Sequence, residues 1–130
     1  ISGWGIPYHG TPIAAFVNRS PTRDRLRAKL QKLFPRGVTA LEFGPAQPRK
    51  IAILSGGGYS ALPLLSEAGV DTFITGELKE AAFNAAQEAG QNIYLCGHYA
   101  TEVFGVRALA EECAARFRLP WEFLDTGCPL

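Results

Sequence analysis

The chain has 130 residues, 47% of them hydrophobic and 19% charged, with a formal net charge of +1. That length suits one domain with a real core, and the near-neutral balance leaves no electrostatic footprint for nucleic acid. No apolar run approaches the roughly 20 residues of a membrane span, and no basic–apolar–small pattern opens the chain as a signal peptide would.

Residues 1–19 are rich in Gly and Pro and read as loop, with at most an edge strand over Ile13–Val17. Ser20-Pro21 reads as a helix start, with Ser20 as N-cap and Pro21 at the first helical position. Leu26, Leu30 and Leu33 follow at helical spacing, and Pro35 and Gly37 stop the helix near Phe34. Residues 38–43 (VTALEF) read as a strand, followed by a turn-rich link. Strands and helices then alternate. Residues 49–54 form a strand, 55–58 a Gly-rich loop, 60–68 a helix, 71–75 a strand and 78–88 a helix. Residues 92–96 form a strand, 101–117 a long helix and 121–125 (WEFLD) a last strand.

Such alternation implies βαβ crossovers, hence an α/β fold with a mostly parallel or mixed sheet. Residues 1–48 are taken as an N-terminal segment with one helix and a strand, and 49–130 as the βαβ lobe, together one domain. The chain contains no Met, and Ile1-Ser2-Gly3-Trp4-Gly5 reads as mid-chain sequence, so a piece of a longer polypeptide is expected.

Cys96, Cys113 and Cys128 are odd in number and lack a C-x-x-C pair, which argues against a disulfide framework or a structural zinc site. A reducing, cytoplasmic setting is the simplest reading. Cys113 falls in the apolar pattern Val103, Val106, Ala110, Phe117 and is expected in the core. Cys96, two residues from His98, offers a nucleophile–base pair; burial as an inert core thiol is the competing reading. The basic helix residues Arg23, Arg25, Arg27, Lys29 and Lys32, with Arg36, read as a solvated face or a nucleotide contact.

In open α/β sheets, ligands sit outside the carboxyl ends of the strands. Three glycine-bearing segments fall at that edge. In Gly97-His98-Tyr99-Ala100-Thr101-Glu102, His98 and Glu102 lie one helical turn apart on one face. An imidazole and a carboxylate together suit Zn, Mn, Fe or a similar ion; alternatively Glu102 only complements the helix dipole. In Ser55-Gly56-Gly57-Gly58-Tyr59-Ser60, the glycines and the Ser60 helix start either cradle a phosphate or make a tight turn. Glu77, in Thr75-Gly76-Glu77, reads as the first-turn residue that complements a helix start. His9 stands alone in Tyr8-His9-Gly10-Thr11 and reads as a loop residue.

The string GHYATEVFGVRAL resembles the G-H-x-A-T-E-x-x-G-[VI]-[KR]-A-L signature of the GTP cyclohydrolase I type 2 homologues, also called the NGG-one-interacting-factor-three family. Residues 49–90, with their Gly-rich loop and T-G-E segment, and the closing WEFLDTGCP are similar to the same family. The resemblance implies one lobe of a two-lobed fold holding a dinuclear divalent-metal centre. The family's C-terminal ligands fall on His98 and Glu102; its His-His pair and Asp have no counterpart here. A hydrolase acting on a nucleotide or phosphate compound is implied, the GTP cyclohydrolase label meaning opening of the guanine imidazole ring. Glu77 is implied as a supporting or acid/base residue. The alternative is a non-enzymatic metal-binding regulatory or scaffold protein that engages partner proteins. The resemblance also implies a homo-oligomer, a toroidal hexamer in the family.

Overall fold

A computed structural model of the protein describes residues 1–18 and 20–128. In chain order the elements are β1 (Gly3–Tyr8), β2 (Thr11–Val17), α1 (Arg23–Leu33), β3 (Thr39–Glu42), β4 (Ile51–Gly57), α2 (Leu62–Glu67), β5 (Thr72–Glu77), α3 (Ala82–Glu88), β6 (Asn92–Leu95) and α4 (His98–Phe117). The six strands form one sheet in the order β1-β2-β4-β5-β6-β3. Strands β4, β5 and β6 are parallel neighbours, joined through α2 and α3, while the remaining pairs are antiparallel. This is the α/β class with a mixed sheet that the alternating pattern implies.

The first segment is more ordered than its Gly and Pro content led us to expect. His9 (φ 48°) and Gly10 (φ 80°) both take left-handed backbone, as a two-residue hairpin turn demands. Strand β2 therefore pairs with β1 on one side and β4 on the other. Residues 13–17 are internal to the sheet, and β1 is the edge. The helix α1 starts two residues later than Ser20-Pro21 signalled: Thr22 occupies the cap position, and the Ser20 hydroxyl donates to the Pro21 carbonyl at 2.8 Å. Its C-terminal cap falls at Phe34, as Pro35 and Gly37 require.

One sheet face packs Leu26, Leu30 and Phe34 against Ile51, Ile74, Tyr94 and Cys96, with Ala100 of α4 at its margin. The other packs Leu65 and Ala86 of α2 and α3 against Ala52, Phe73 and Ile93. The basic helix is less solvated than expected. Arg27 pairs with Glu42 at 2.6 Å, Arg23 donates to the Gly44 carbonyl, and the buried Tyr94 hydroxyl donates to Glu42 at 3.0 Å. Burial and the Glu42 charge together push the Tyr94 hydroxyl well above its usual pKa.

Two expectations fail at the C-terminal end. No residue of α4 is buried, and Cys113, expected in the core, is exposed with Val106 and Phe117. Periodicity reports that a helix has an apolar face, not that this chain covers it. The 121–125 segment is not a strand. Arg118 caps α4 in left-handed backbone (φ 53°) and the Leu119 N–H bonds the Ala114 carbonyl, which turns the chain back at Pro120. Residues 121–128 then retrace α4 toward its N-terminus: Arg107 stacks over the Phe123 ring at 4.0 Å, and the Tyr99 hydroxyl donates to Asp125 at 3.0 Å. The segment lies along a helix, where no strand edge offers a ladder.

Candidate functional site

The site forms where β4, β5 and α4 meet. Both strands run further than their glycines suggested: β4 includes Gly56 and Gly57, and β5 includes Gly76 and Glu77. The missing side chains explain this. A Cβ at Gly76 would lie 2.6 Å from the Gly56 carbonyl and 2.8 Å from the His98 Cα, so only glycine lets the strands pass under the start of α4. Gly97 (φ 92°) then turns the chain from β6 into a helix that begins at His98, earlier than the expected Thr101. Thr101 locks the arrangement. Its Oγ1 accepts the Gly56 N–H at 2.9 Å and lies 2.9 Å from the Gly97 carbonyl, tying the first turn of α4 to β4. Thr101 carries no spacing signal of its own, although it sits inside the G-H-x-A-T-E string.

His98 is the centre of the site. Its Nδ1 lies 2.8 Å from Glu77 Oε1 and its Nε2 lies 3.3 Å from Glu102 Oε1. The Glu77 hydrogen bond, with the negative charge of Glu102 adding to it, raises the imidazole pKa above its ordinary value. Glu77 thereby selects the tautomer that carries its proton on Nδ1, which leaves Nε2 as the lone-pair donor facing Glu102. A carboxylate on the far nitrogen of a ligating histidine is the usual support of a metal site. Beside these donors is the Cβ-free surface of Gly56, where a methyl group would collide with Glu102 Oε1 and come within 3.1 Å of His98 Nε2. Nε2 and Oε1, packed against Gly56, are two donors of the kind a divalent cation takes. Glu77 cannot share that cation with Nε2, because it faces the opposite ring nitrogen. Among the described residues, no three His, Cys, Asp or Glu side chains already form a cage.

The other residues singled out divide. Gly56, Gly57 and Gly58 lie at the same edge, yet the Gly56 N–H donates to Thr101 and the Gly58 N–H to the Glu77 carbonyl. These two donors are spent internally, which weakens an anion cradle relative to the donor pair. Ser60 lies within a short 3-10 turn, Tyr59–Ala61, whose cap position is Gly58, so Ser60 is not the helix cap. Cys96 is buried, its thiol is pushed up to about 11 by burial, and its Sγ faces the Tyr94 carbonyl rather than His98; the core reading holds. His9 sits in the β1–β2 turn, with its ring against Tyr8.

Of two cavities that share Tyr99, one contains both donors and the other neither. One, of about 340 Å³, is lined by Glu77, His98, Tyr99, Glu102 and Cys128. The second, of about 400 Å³, shares Tyr99 with it and presents Arg36 and Arg107 among the rings of Phe34, Phe104 and Phe123. No helix among the described residues is long and apolar enough to cross a membrane.

Comparison with known proteins agrees with the resemblance read from the G-H-x-A-T-E string. Residues 9–127 match the family described as Duf34/NIF3 (NGG1p interacting factor 3). A Yersinia pestis protein named GTP cyclohydrolase 1 type 2 homolog is 40% identical over 105 residues, 80% of this chain and 42% of its own length. A Haemophilus influenzae protein of the same name is 39% identical over 119 residues, 91% of this chain and 47% of its own. Among solved structures, a protein described as ybgI, of unknown function, superposes with a TM-score of 0.84 at 30% identity, over 92% of this chain and 50% of that one. The Thermus thermophilus protein TTHA1606 gives 0.77 at 32% identity, over 98% and 50%. The chain thus spans about half the length of the relatives it matches. With the family match extending from the hairpin turn to the retracing segment, the chain belongs to the DUF34/NIF3 family.

Proposed function

We propose that this chain contributes one side of a divalent-metal centre, with His98 and Glu102 as ligands, to a hydrolase acting on a nucleotide or another phosphate compound. The observation that carries the reading is the convergence of His98 Nε2 and Glu102 Oε1, 3.3 Å apart, both packed against Gly56. The ligands expected from the N-terminal half of the family have no counterpart in these residues, so in this reading the complete two-metal centre takes donors from outside them. When bound, such an ion supplies Lewis acidity toward a substrate oxygen.

The chain's own residues have separate tasks. Glu77 holds the His98 ring and its tautomer, and in this reading its exposed carboxylate also accepts or delivers a proton. Arg36 and Arg107 line the larger cavity and make it electropositive, although Arg36 already donates to the Cys128 carbonyl and Arg107 lies over the Phe123 ring. The Gly56–Gly58 segment with Ser60 is retained as a secondary anion contact. The relatives' name supports a purine nucleotide as the first substrate to try.

A second reading, a metal-binding scaffold that engages partner proteins or copies of itself, draws support from the apolar side chains α4 leaves exposed, among them Phe104, Leu109 and Phe117. The two separate in one assay. The chain, together with the polypeptide that supplies the remaining donors, is loaded with Zn, Mn or Co and incubated with GTP and with simple phosphate esters, with and without a chelator. Turnover that disappears on chelation and returns with metal supports the hydrolase. Metal retention without turnover on any of them transfers support to the scaffold, which sedimentation across a concentration series would then examine for self-association.

A further inference from the structure

Residues 121–128 lie along α4 without joining a helix or strand and, among the described residues, without a backbone–backbone hydrogen bond. Side chains hold them instead. Arg107 stacks over the Phe123 ring at 4.0 Å. The Tyr99 hydroxyl donates to Asp125 Oδ1 at 3.0 Å and accepts the Thr126 N–H at 3.3 Å. Arg36, in the turn after α1, donates to the Cys128 carbonyl at 2.6 Å and lies 3.7 Å from Asp125 Oδ2. Only Phe123 and Cys128 are half-buried; the rest of the segment is exposed. A segment with so little buried surface and no ladder belongs to the least stable part of a fold. It also stands between cavities. Cys128 lines the one of about 340 Å³ that holds Glu77, His98 and Glu102. Phe123, Leu124 and Thr126 line one of about 230 Å³ with Glu102, Val103 and Val106. Phe123 and Asp125 line the one of about 400 Å³ with Arg36, Arg107 and Phe104. Tyr99 lines all of them.

We propose that residues 121–128 are a strap that opens independently of the rest of the fold, with Tyr99 and Arg36 as its latch, and that opening joins the His98 cavity to the arginine-lined one. The base of the strap is fixed. Arg118 caps α4 in left-handed backbone, the Leu119 N–H bonds the Ala114 carbonyl, and Pro120 has a locked φ. Movement therefore falls on the residues that follow. The latch draws on two elements: Tyr99 belongs to the first turn of α4, next to His98, and Arg36 follows α1. With the strap closed, the His98 side chain is still 37% exposed, so the strap narrows the approach to the ring and does not seal it. With the strap open, the partitions made by Phe123, Asp125 and Cys128 are gone, and one cleft runs from His98 past Tyr99 to Phe104. The inference concerns access to His98 and does not depend on the ligand that His98 takes.

Chemical labelling tests this without reference to activity. In a Cys113→Ser background Cys128 reports on the strap, because Cys96 is enclosed in the core. Its reaction with an aromatic disulfide reagent is followed in that background alone and with Asp125→Ala, Asp125→Asn or Arg36→Ala added. Loss of a hydrogen bond should speed labelling by about fivefold in Asp125→Ala and in Arg36→Ala. Asp125→Asn, whose amide oxygen still accepts from Tyr99 and Gly127, should stay nearer the background rate. Slowly exchanging amides of β4, β5 and β6 should keep their protection in every variant. With both Arg36→Ala and Asp125→Ala present, carbethoxylation of His98 by diethyl pyrocarbonate, located by mass spectrometry, should also be faster. An unchanged rate at Cys128 in all variants overturns the latch. Loss of protection across the sheet in step with Cys128 labelling overturns independent opening. Faster labelling of Cys128 with an unchanged rate at His98 overturns the control of access to His98.

Discussion

His98 and Glu77 come from neighbouring elements, the start of α4 and the end of β5, and meet with Nδ1 and Oε1 2.8 Å apart. This contact raises the imidazole pKa above its ordinary value, the Glu77 hydrogen bond being the larger cause and the Glu102 charge a further one. For a raised pKa, the stabilising contribution is complete below the unfolded histidine's value and is lost as pH rises through the folded value. Replacing Glu77 by Gln should therefore move the His98 titration in the metal-free chain to lower pH. Imidazole proton shifts measured against pH give both midpoints. An unchanged midpoint would show that the hydrogen bond does not govern this ring.

The glycines around the donors separate folding from binding. At Gly76 an added methyl meets the Gly56 carbonyl and the His98 Cα, neither of which can swing aside. Gly76→Ala should cost about 1–3 kcal/mol, in the range of other overpacked sites, read by urea denaturation. At Gly56 the methyl meets the mobile end of Glu102, and φ is +68°. Gly56→Ala should cost about 1–2 kcal/mol from left-handed backbone but should weaken metal binding sharply, because Glu102 is displaced. Equal metal affinity in Gly56→Ala and the native chain would contradict the placement of the ion beside Gly56.

Asp125 anchors the retracing segment, and its carboxyl lies below the usual range. The causes are the Gly127 N–H, then the Tyr99 hydroxyl, with Arg36 and Arg107 adding their charge. A depressed carboxyl contributes above its unfolded pKa, and that contribution is lost as pH falls through the folded value. The Gly127 amide, which donates to Asp125 at 2.9 Å, should report this as a shift with an acidic midpoint beneath the ordinary aspartate value. Asp125→Asn should flatten it. A native midpoint at or above the ordinary value would mean that the anchor does not form in solution.

How far these relationships were legible in sequence depends on their range. His98 and Glu102 are four residues apart at a strand-to-helix junction, so local geometry alone brought them to one face. Glu77 was placed at the same edge because parallel strands end together, but its contact with the far ring nitrogen depends on how α4 packs over β5. Thr101 was invisible for a related reason: its work is a bond to the Gly56 backbone, 45 residues away. The hairpin over residues 3–17 was hidden because His9 in left-handed backbone carries none of the usual Asn-Gly signal. The segment 121–128 has strand-like composition, and only the reversal at Arg118 and Pro120 decides that it lies along a helix. The exposure of Cys113 and of its apolar neighbours could not be read from period alone, since period gives a face and not what covers it.

A divalent ion held by His98 and Glu102 is detected by equilibrium dialysis of the chain against Zn²⁺. The native chain should retain Zn²⁺. His98→Ala and Glu102→Gln, each shown by circular dichroism to keep the fold, should each weaken binding by at least about tenfold, the scale on which even supporting residues act. Retention by His98→Ala equal to that of the native chain would contradict the assignment.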